Sequence, residues 1–191
     1  MSPNTISLGS VAFACVTGAA YVGIVYLHTP WLISVLLVVA CLGMQGRLVC
    51  NLLDGMVAVE GGKGSPVGEL YNDMPDRIAD GIIFATAGYA AGTVYGPALG
   101  WLAVALAILT AYVRVLGRSL GAGVYFAGPM AKQHRMATLT AANVSGAILT
   151  PWAWQRWPLL VALGLIVVGS VVTCVRRLNL IAGELRRKAG Q

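Results

Sequence analysis

The chain has 191 residues, 58% of them hydrophobic and only 10% charged, with a mean hydropathy of +0.77 and a net charge of +6. A water-soluble domain carries about 25% charged residues, so this composition excludes an ordinary solvated surface and points to an all-α integral membrane protein. The basic residues gather at the ends of apolar runs, which fits membrane topology and gives no case for a nucleic-acid partner.

Runs of roughly 20 apolar residues, the length a bilayer requires, recur along the chain, and six candidate transmembrane helices are expected. The first spans about residues 6–27 and ends at the His28-Thr29-Pro30 turn. The second starts near Trp31, stays apolar to Cys50 apart from Gln45 and Arg47, and continues to the Gly- and Pro-rich stretch GGKGSP, which terminates it. The third begins near Pro66 or Val67 and becomes apolar over residues 81–94. The fourth covers about residues 98–118, after the Tyr95-Gly96-Pro97 turn, and a polar, Gly-rich connection runs to Arg135. The fifth is expected over about 136–152 and the sixth over 158–175, ending at Arg176-Arg177. Residues 1–191 therefore read as one polytopic membrane domain, with 176–191 as a basic cytoplasmic tail. The four cysteines, Cys15, Cys41, Cys50 and Cys174, are scattered in apolar segments without ligand spacing and read as free thiols.

Six spans put the N-terminus, Lys63, the Arg114–Arg135 region and the basic tail on one side, and leave Arg156 as the sole basic residue on the other. The positive-inside rule places both termini in the cytoplasm, as expected of a bacterial inner or plasma membrane protein.

Six of the seven acidic residues, Asp54, Glu60, Glu69, Asp73, Asp76 and Asp80, fall within residues 51–80, at the cytoplasmic ends of the second and third helices. Residues three or four apart share a helix face, which groups Asn51 with Asp54 and Asn72 with Asp76 and Asp80. An uncompensated carboxylate in the hydrocarbon costs about 2.5–3.5 kcal/mol on insertion scales. A hard divalent cation bound by oxygen donors would offset that cost. Pairing with Arg77 or other arginines would do the same.

The same stretch resembles the signature of the CDP-alcohol phosphatidyltransferase family, D-x2-D-G-x2-A-R-x8-G-x3-D-x3-D. Here Asp54-Gly55-x2-Ala58 is followed at that spacing by Gly68-x3-Asn72-x3-Asp76, with Asp80 one turn on. Pro3-Asn4-Thr5-Ile6 is similar to the family's approach to its first helix, and AYVRVLGRSLG with GPMAKQHR is similar to its fourth-to-fifth helix region. The resemblance implies a six-helix CDP-alcohol phosphotransferase-like bundle, working as a homodimer among membrane lipids. It implies transfer of a phosphatidyl group from a CDP-linked lipid such as CDP-diacylglycerol to a small polar alcohol, releasing CMP, with Mg2+ or Mn2+ as cofactor.

By that resemblance Asp76 is the catalytic base and Asn51, Asp54, Asn72, Asp76 and Asp80 are the metal set. Gly55, Ala58 and Gly68 floor the nucleotide, and Arg114, Arg118, Lys132 and Arg135 meet a phosphate on the acceptor. Three positions depart from the signature: Asn51 and Asn72 stand where it has aspartate, and Val59 where it has arginine. Each asparagine keeps an oxygen donor but removes a negative charge; Arg47 and Lys63 are the nearest cations to replace the missing arginine. A catalytically impaired relative that only binds lipid or nucleotide is the alternative. A small ion- or proton-coupled transporter is a further one, although acids gathered at one interface argue against it.

Overall fold

The computed structural model describes the backbone of residues 3–60, 68–152 and 155–190, and the side chains of residues 8–53, 56, 70, 73–152 and 155–190. Six α-helices account for almost all of the described backbone: α1 (Pro3–Tyr26), α2 (Pro30–Glu60), α3 (Gly68–Ala90), α4 (Gly96–Ser119), α5 (Lys132–Leu149) and α6 (Trp157–Ala189). A 3-10 turn, Thr150–Trp152, follows α5.

The helices close into a ring. α1 packs on α2 and α3, α3 on α4, α4 on α6, α6 on α5, and α5 returns to α2. Four of them are long and apolar enough to cross a membrane: α1, α2, α4 and α6. α3 and α5 carry the polar residues, so their apolar halves fill the ring while their charged ends gather at one mouth. Ile83 and Phe84 of α3 and Met136 and Leu139 of α5 are fully buried beside Tyr21, Leu37 and Leu163. The outward faces of α1, α2, α4 and α6 expose Val, Leu and Trp side chains, as a lipid-facing surface requires.

Glycine sets the closest helix approach. A Cβ on Gly88 would lie 2.6 Å from the Gly96 carbonyl oxygen and 2.9 Å from the Gly100 Cα, so α3 and α4 touch backbone to backbone there. Gly92, at φ +60°, makes the turn between them, and the Gly96 amide donates to Thr93 Oγ1 at 3.1 Å as α4 begins. Across the ring, the Tyr21 hydroxyl donates to Asn143 Oδ1 at 3.0 Å, joining α1 to α5.

Two boundaries differ from the sequence reading. The connection before the fifth helix ends earlier, because Lys132, Gln133, His134 and Arg135 form the first turn of α5. The sixth helix does not stop at Arg176-Arg177 but continues to Ala189. Buried Arg177 and Ile181 fasten this extension to the bundle, so the basic tail is largely helix.

Candidate active site

Arg47 lies within the apolar run of α2 and is fully buried. Its Nη2 is 2.8 Å from Asp80 Oδ1 and 3.3 Å from Asp76 Oδ1, and it donates to the Asp76 carbonyl oxygen at 3.2 Å. Asp76 and Asp80 are one turn apart on α3, so a single guanidinium from α2 reaches both carboxylates. Arg135 of α5 completes the buried layer: its Nη2 lies 3.4 Å from Asp80 Oδ2 and its Nη1 donates to Thr110 Oγ1 at 3.0 Å. Lys132 Nζ donates to Asp76 Oδ2, and Arg77 stands 3.8 Å from the same oxygen. These pairs answer the desolvation that two enclosed carboxylates would otherwise suffer.

Above this layer opens a cavity of about 630 Å3. Leu48, Asn51 and Leu52 of α2 line it, with Asp73, Asp76 and Arg77 of α3 opposite. Thr110, Ala111 and Arg114 of α4 form a third wall, and Phe126, Gly128 and Ala131 from the α4–α5 loop a fourth. The first turn of α5 and Arg177 of α6 close it. Arg114 Nη2 donates to both oxygens of Asp73, at 2.9 and 2.7 Å, and its guanidinium sits 5.6 Å over the Phe126 ring. Arg177 Nε donates to the Ala127 carbonyl at 3.0 Å and Nη1 to the Thr110 carbonyl at 2.8 Å, tying loop and α4 to α6.

The structure thus brings Asn51, Asp76, Arg114, Lys132 and Arg135 to one cavity. Asp80 is buried with its oxygens facing Arg47 and Arg135, and Arg118 is exposed outside the lining. The side chains of Asp54, Gly55, Ala58, Val59, Gly68 and Asn72, and all of Lys63, lie outside the described residues. Sequence reasoning missed Asp73 and Arg177 as cavity residues, and it saw Arg47 only as a stand-in for the arginine absent at Val59. An arginine inside an apolar run is a signal in itself, since such a charge survives in a membrane protein only with a partner. Nothing in the sequence distinguishes Arg177 from its neighbour Arg176.

Asp76 and Asn51 offer hard oxygen donors to the same cavity, and the Asn51 side-chain nitrogen is buried with no partner. That donor chemistry fits Mg2+ or Mn2+. Among the described residues no three His, Cys, Asp or Glu side chains converge on one point; Asp54 and Asn72, expected in the ligand set, have their side chains outside the described residues.

No family model matches the chain. An archaetidylinositol phosphate synthase from Aeropyrum pernix is 34% identical over 143 residues, which make up 73% of this chain and 68% of that protein. The chain belongs to the CDP-alcohol phosphatidyltransferase family. A second relative among the CDP-alcohol phosphatidyltransferases, the phosphatidylinositol phosphate synthase of Mycobacteroides abscessus, is 28% identical over 139 residues; the match spans 68% of this chain and 58% of that protein. The fold agrees with the crystal structure of Mycobacterium tuberculosis phosphatidylinositol phosphate synthase with CDP-DAG bound, at a TM-score of 0.72 and 22% identity, covering 95% of this chain and 86% of that one. A structure of the same protein in complex with manganese and citrate gives the same TM-score and identity, covering 82% of that chain. Like other CDP-alcohol phosphatidyltransferases, this chain is an integral membrane enzyme that moves a substituted phosphate group onto an alcohol, and the family depends on a divalent metal.

Proposed function

We propose that the chain transfers the phosphatidyl group of a CDP-linked lipid to a phosphorylated polyol of the inositol phosphate class, at the cytoplasmic face of the membrane. The observation that carries this reading is one cavity in which Asp76 shares walls with Arg114, Lys132, Arg135 and Arg177. A base and four cations suit an acceptor that is both a nucleophile and a phosphate ester. Planar guanidinium forks match phosphate oxygens. The two relatives' names, which pair inositol with phosphate, agree with that acceptor.

In this scheme Asp76 takes the proton of the attacking hydroxyl. The hydroxyl oxygen bonds to the lipid-side phosphorus, and the bond from that phosphorus to the CMP oxygen breaks. CMP leaves with the electron pair. Lys132 holds Asp76 Oδ2 until substrate binds, and Arg47 fixes the carboxylate's orientation from below through Oδ1. The unpartnered Asn51 amide nitrogen donates to a diphosphate oxygen, a role that aspartate at this position could not fill. Gly55, Ala58 and Gly68 floor the nucleotide, and small residues there allow close backbone approach. Asp76, with Asp54, Asn72 and the Asn51 oxygen, would hold Mg2+ or Mn2+, which would supply positive charge to the diphosphate.

The basic residues of the mouth, together with Arg176 and Arg186 to Lys188 on the α6 extension, support a cytoplasmic location for this end under the positive-inside rule. A homodimer is expected within the membrane, through a lipid-facing helix surface.

The test is CMP release by the purified chain in detergent with Mn2+ and CDP-diacylglycerol, offered inositol phosphate, inositol, glycerol 3-phosphate or serine, with lipid products identified by mass spectrometry. Inositol phosphate should give the highest turnover. Preference for an unphosphorylated alcohol would overturn the acceptor class; no release with any acceptor would leave the impaired, binding-only reading.

A further inference from the structure

The seventh acidic residue, Glu184, stands apart from the 51–80 cluster and belongs to no signature. It lies on the α6 extension, two turns beyond Arg177. Its Oε2 accepts from the Gly123 amide at 2.8 Å and from the Tyr125 hydroxyl at 2.7 Å, and its Oε1 is 2.9 Å from Lys188 Nζ. Lys188 in turn donates to the Gly121 carbonyl at 2.7 Å. Both residues therefore grip the first half of the α4–α5 loop, whose second half, Phe126, Gly128 and Ala131, lines the cavity.

These contacts are part of one stripe. Thr173, Arg177, Ile181, Glu184 and Lys188 follow each other at spacings of three or four, so they share a face of α6. Thr173 Oγ1 accepts from the Met130 amide at 3.0 Å, Arg177 holds the Ala127 carbonyl, and Ile181 packs with Val113 and Ala122. Gly128, at φ +137°, passes so close to Thr173 that a side chain there would collide with it. The loop is thus fastened along its whole length to α6, with its amide and carbonyl groups as the fastening points. The hydrogen bond to the Glu184 carboxylate also pushes the Tyr125 phenol above its ordinary range.

We propose that Glu184 is a positioning residue for the acceptor: by anchoring residues 121–125 to α6 it sets the wall formed by Phe126, Gly128 and Ala131 and the approach of Lys132 to the cavity. Phe126 also carries the Arg114 guanidinium, so a displaced loop releases a phosphate-binding cation as well. Among the described residues, none of the contacts that anchor the loop to α6 involves the donor side of the cavity on α2 and α3. The inference rests on the acceptor reading given above.

The experiment compares wild type with Glu184→Ala, Glu184→Gln and Tyr125→Phe in detergent, measuring steady-state kinetics against inositol phosphate and CDP-diacylglycerol together with amide hydrogen exchange. Glu184→Ala should raise KM for inositol phosphate about tenfold while kcat and KM for the CDP-lipid stay within about twofold. Exchange should quicken across residues 121–131 and stay unchanged in α1 and α2. Glutamine keeps a carbonyl for the Gly123 and Tyr125 donors, so Glu184→Gln should recover most of the acceptor KM. An unchanged acceptor KM, or equal rises for both substrates, overturns the proposal. Should Glu184→Ala not fold, Tyr125→Phe must show the same split in smaller measure, and its absence overturns the proposal equally. If wild type transfers to no phosphorylated alcohol, the functional reading fails. The exchange data then decide separately whether Glu184 holds the loop.

Discussion

Arg47 Nη2 lies 2.8 Å from Asp80 Oδ1 and 3.3 Å from Asp76 Oδ1, so one buried guanidinium on α2 holds two carboxylates a turn apart on α3. Removing one partner of a buried ion pair costs about 3–5 kcal/mol, because it leaves the other charge enclosed and unmatched. Arg47→Ala should therefore lower the thermal unfolding midpoint in detergent and abolish CMP release together. Arg47→Met combined with Asp80→Leu removes charge from both sides and should recover part of the stability; equal loss in single and double variants would show that the pair is not what holds the layer.

Asp76 has a different place in the same network, with one oxygen facing Arg47 and the other Lys132 at the cavity wall. Asp76→Asn keeps the shape but cannot take a proton. It should cut kcat by about a hundred- to ten-thousand-fold and lower the unfolding midpoint less than Arg47→Ala does, because Arg47 keeps Asp80 as its partner. Turnover within a few-fold of wild type would remove Asp76 from the base role.

Metal binding should respond to charge at the mouth. Lys132 competes for Asp76 Oδ2, and two asparagines stand at aspartate positions of the signature. Lys132→Met should tighten Mn2+ binding, and Asn51→Asp with Asn72→Asp should tighten it further, by about tenfold or more in total. Electron paramagnetic resonance titration of free Mn2+ measures this without turnover. Affinity that does not move with either change would place the ion elsewhere.

Helix packing offers a test remote from the chemistry. Gly88, Gly96 and Gly100 bring α3 against α4 at backbone contact. Gly88→Leu should push α3 outward and destabilise the bundle by about 1–3 kcal/mol or more. Because α3 carries Asp73, Asp76 and Asp80, activity should fall further than the unfolding midpoint alone explains. An exposed control, Val172→Leu on the outer face of α6, should change neither quantity.

Much of this protein was legible from the chain alone. Apolar runs and the turns between them gave six helices, four of them of bilayer length, and a membrane setting, because lipid leaves the backbone few other ways to satisfy its hydrogen bonds. The spacing of Asp54, Gly55, Ala58, Gly68 and Asp76 carried the resemblance to the family, because a signature of fixed residues at fixed separations is written in sequence order itself. Charge asymmetry identified the polar end of the bundle. These are local or periodic properties, and sequence order encodes them directly.

Tertiary structure decided which charges meet. Arg47 is 29 residues from Asp76, and Arg135 is 55 from Asp80. Only closure of the ring, with α5 beside α2 and α4 beside α6, brings them within bonding distance. Arg176 and Arg177 are adjacent in sequence, yet Arg177 turns into the cavity and Arg176 faces outward, a difference of about 100° around the α6 axis. Glu184 is an unremarkable acid in a basic tail until α6 extends past the membrane span and meets the loop at Gly123 and Tyr125. An ion pair's strength depends on what encloses it and which groups share it, and that enclosure exists only after the helices have packed.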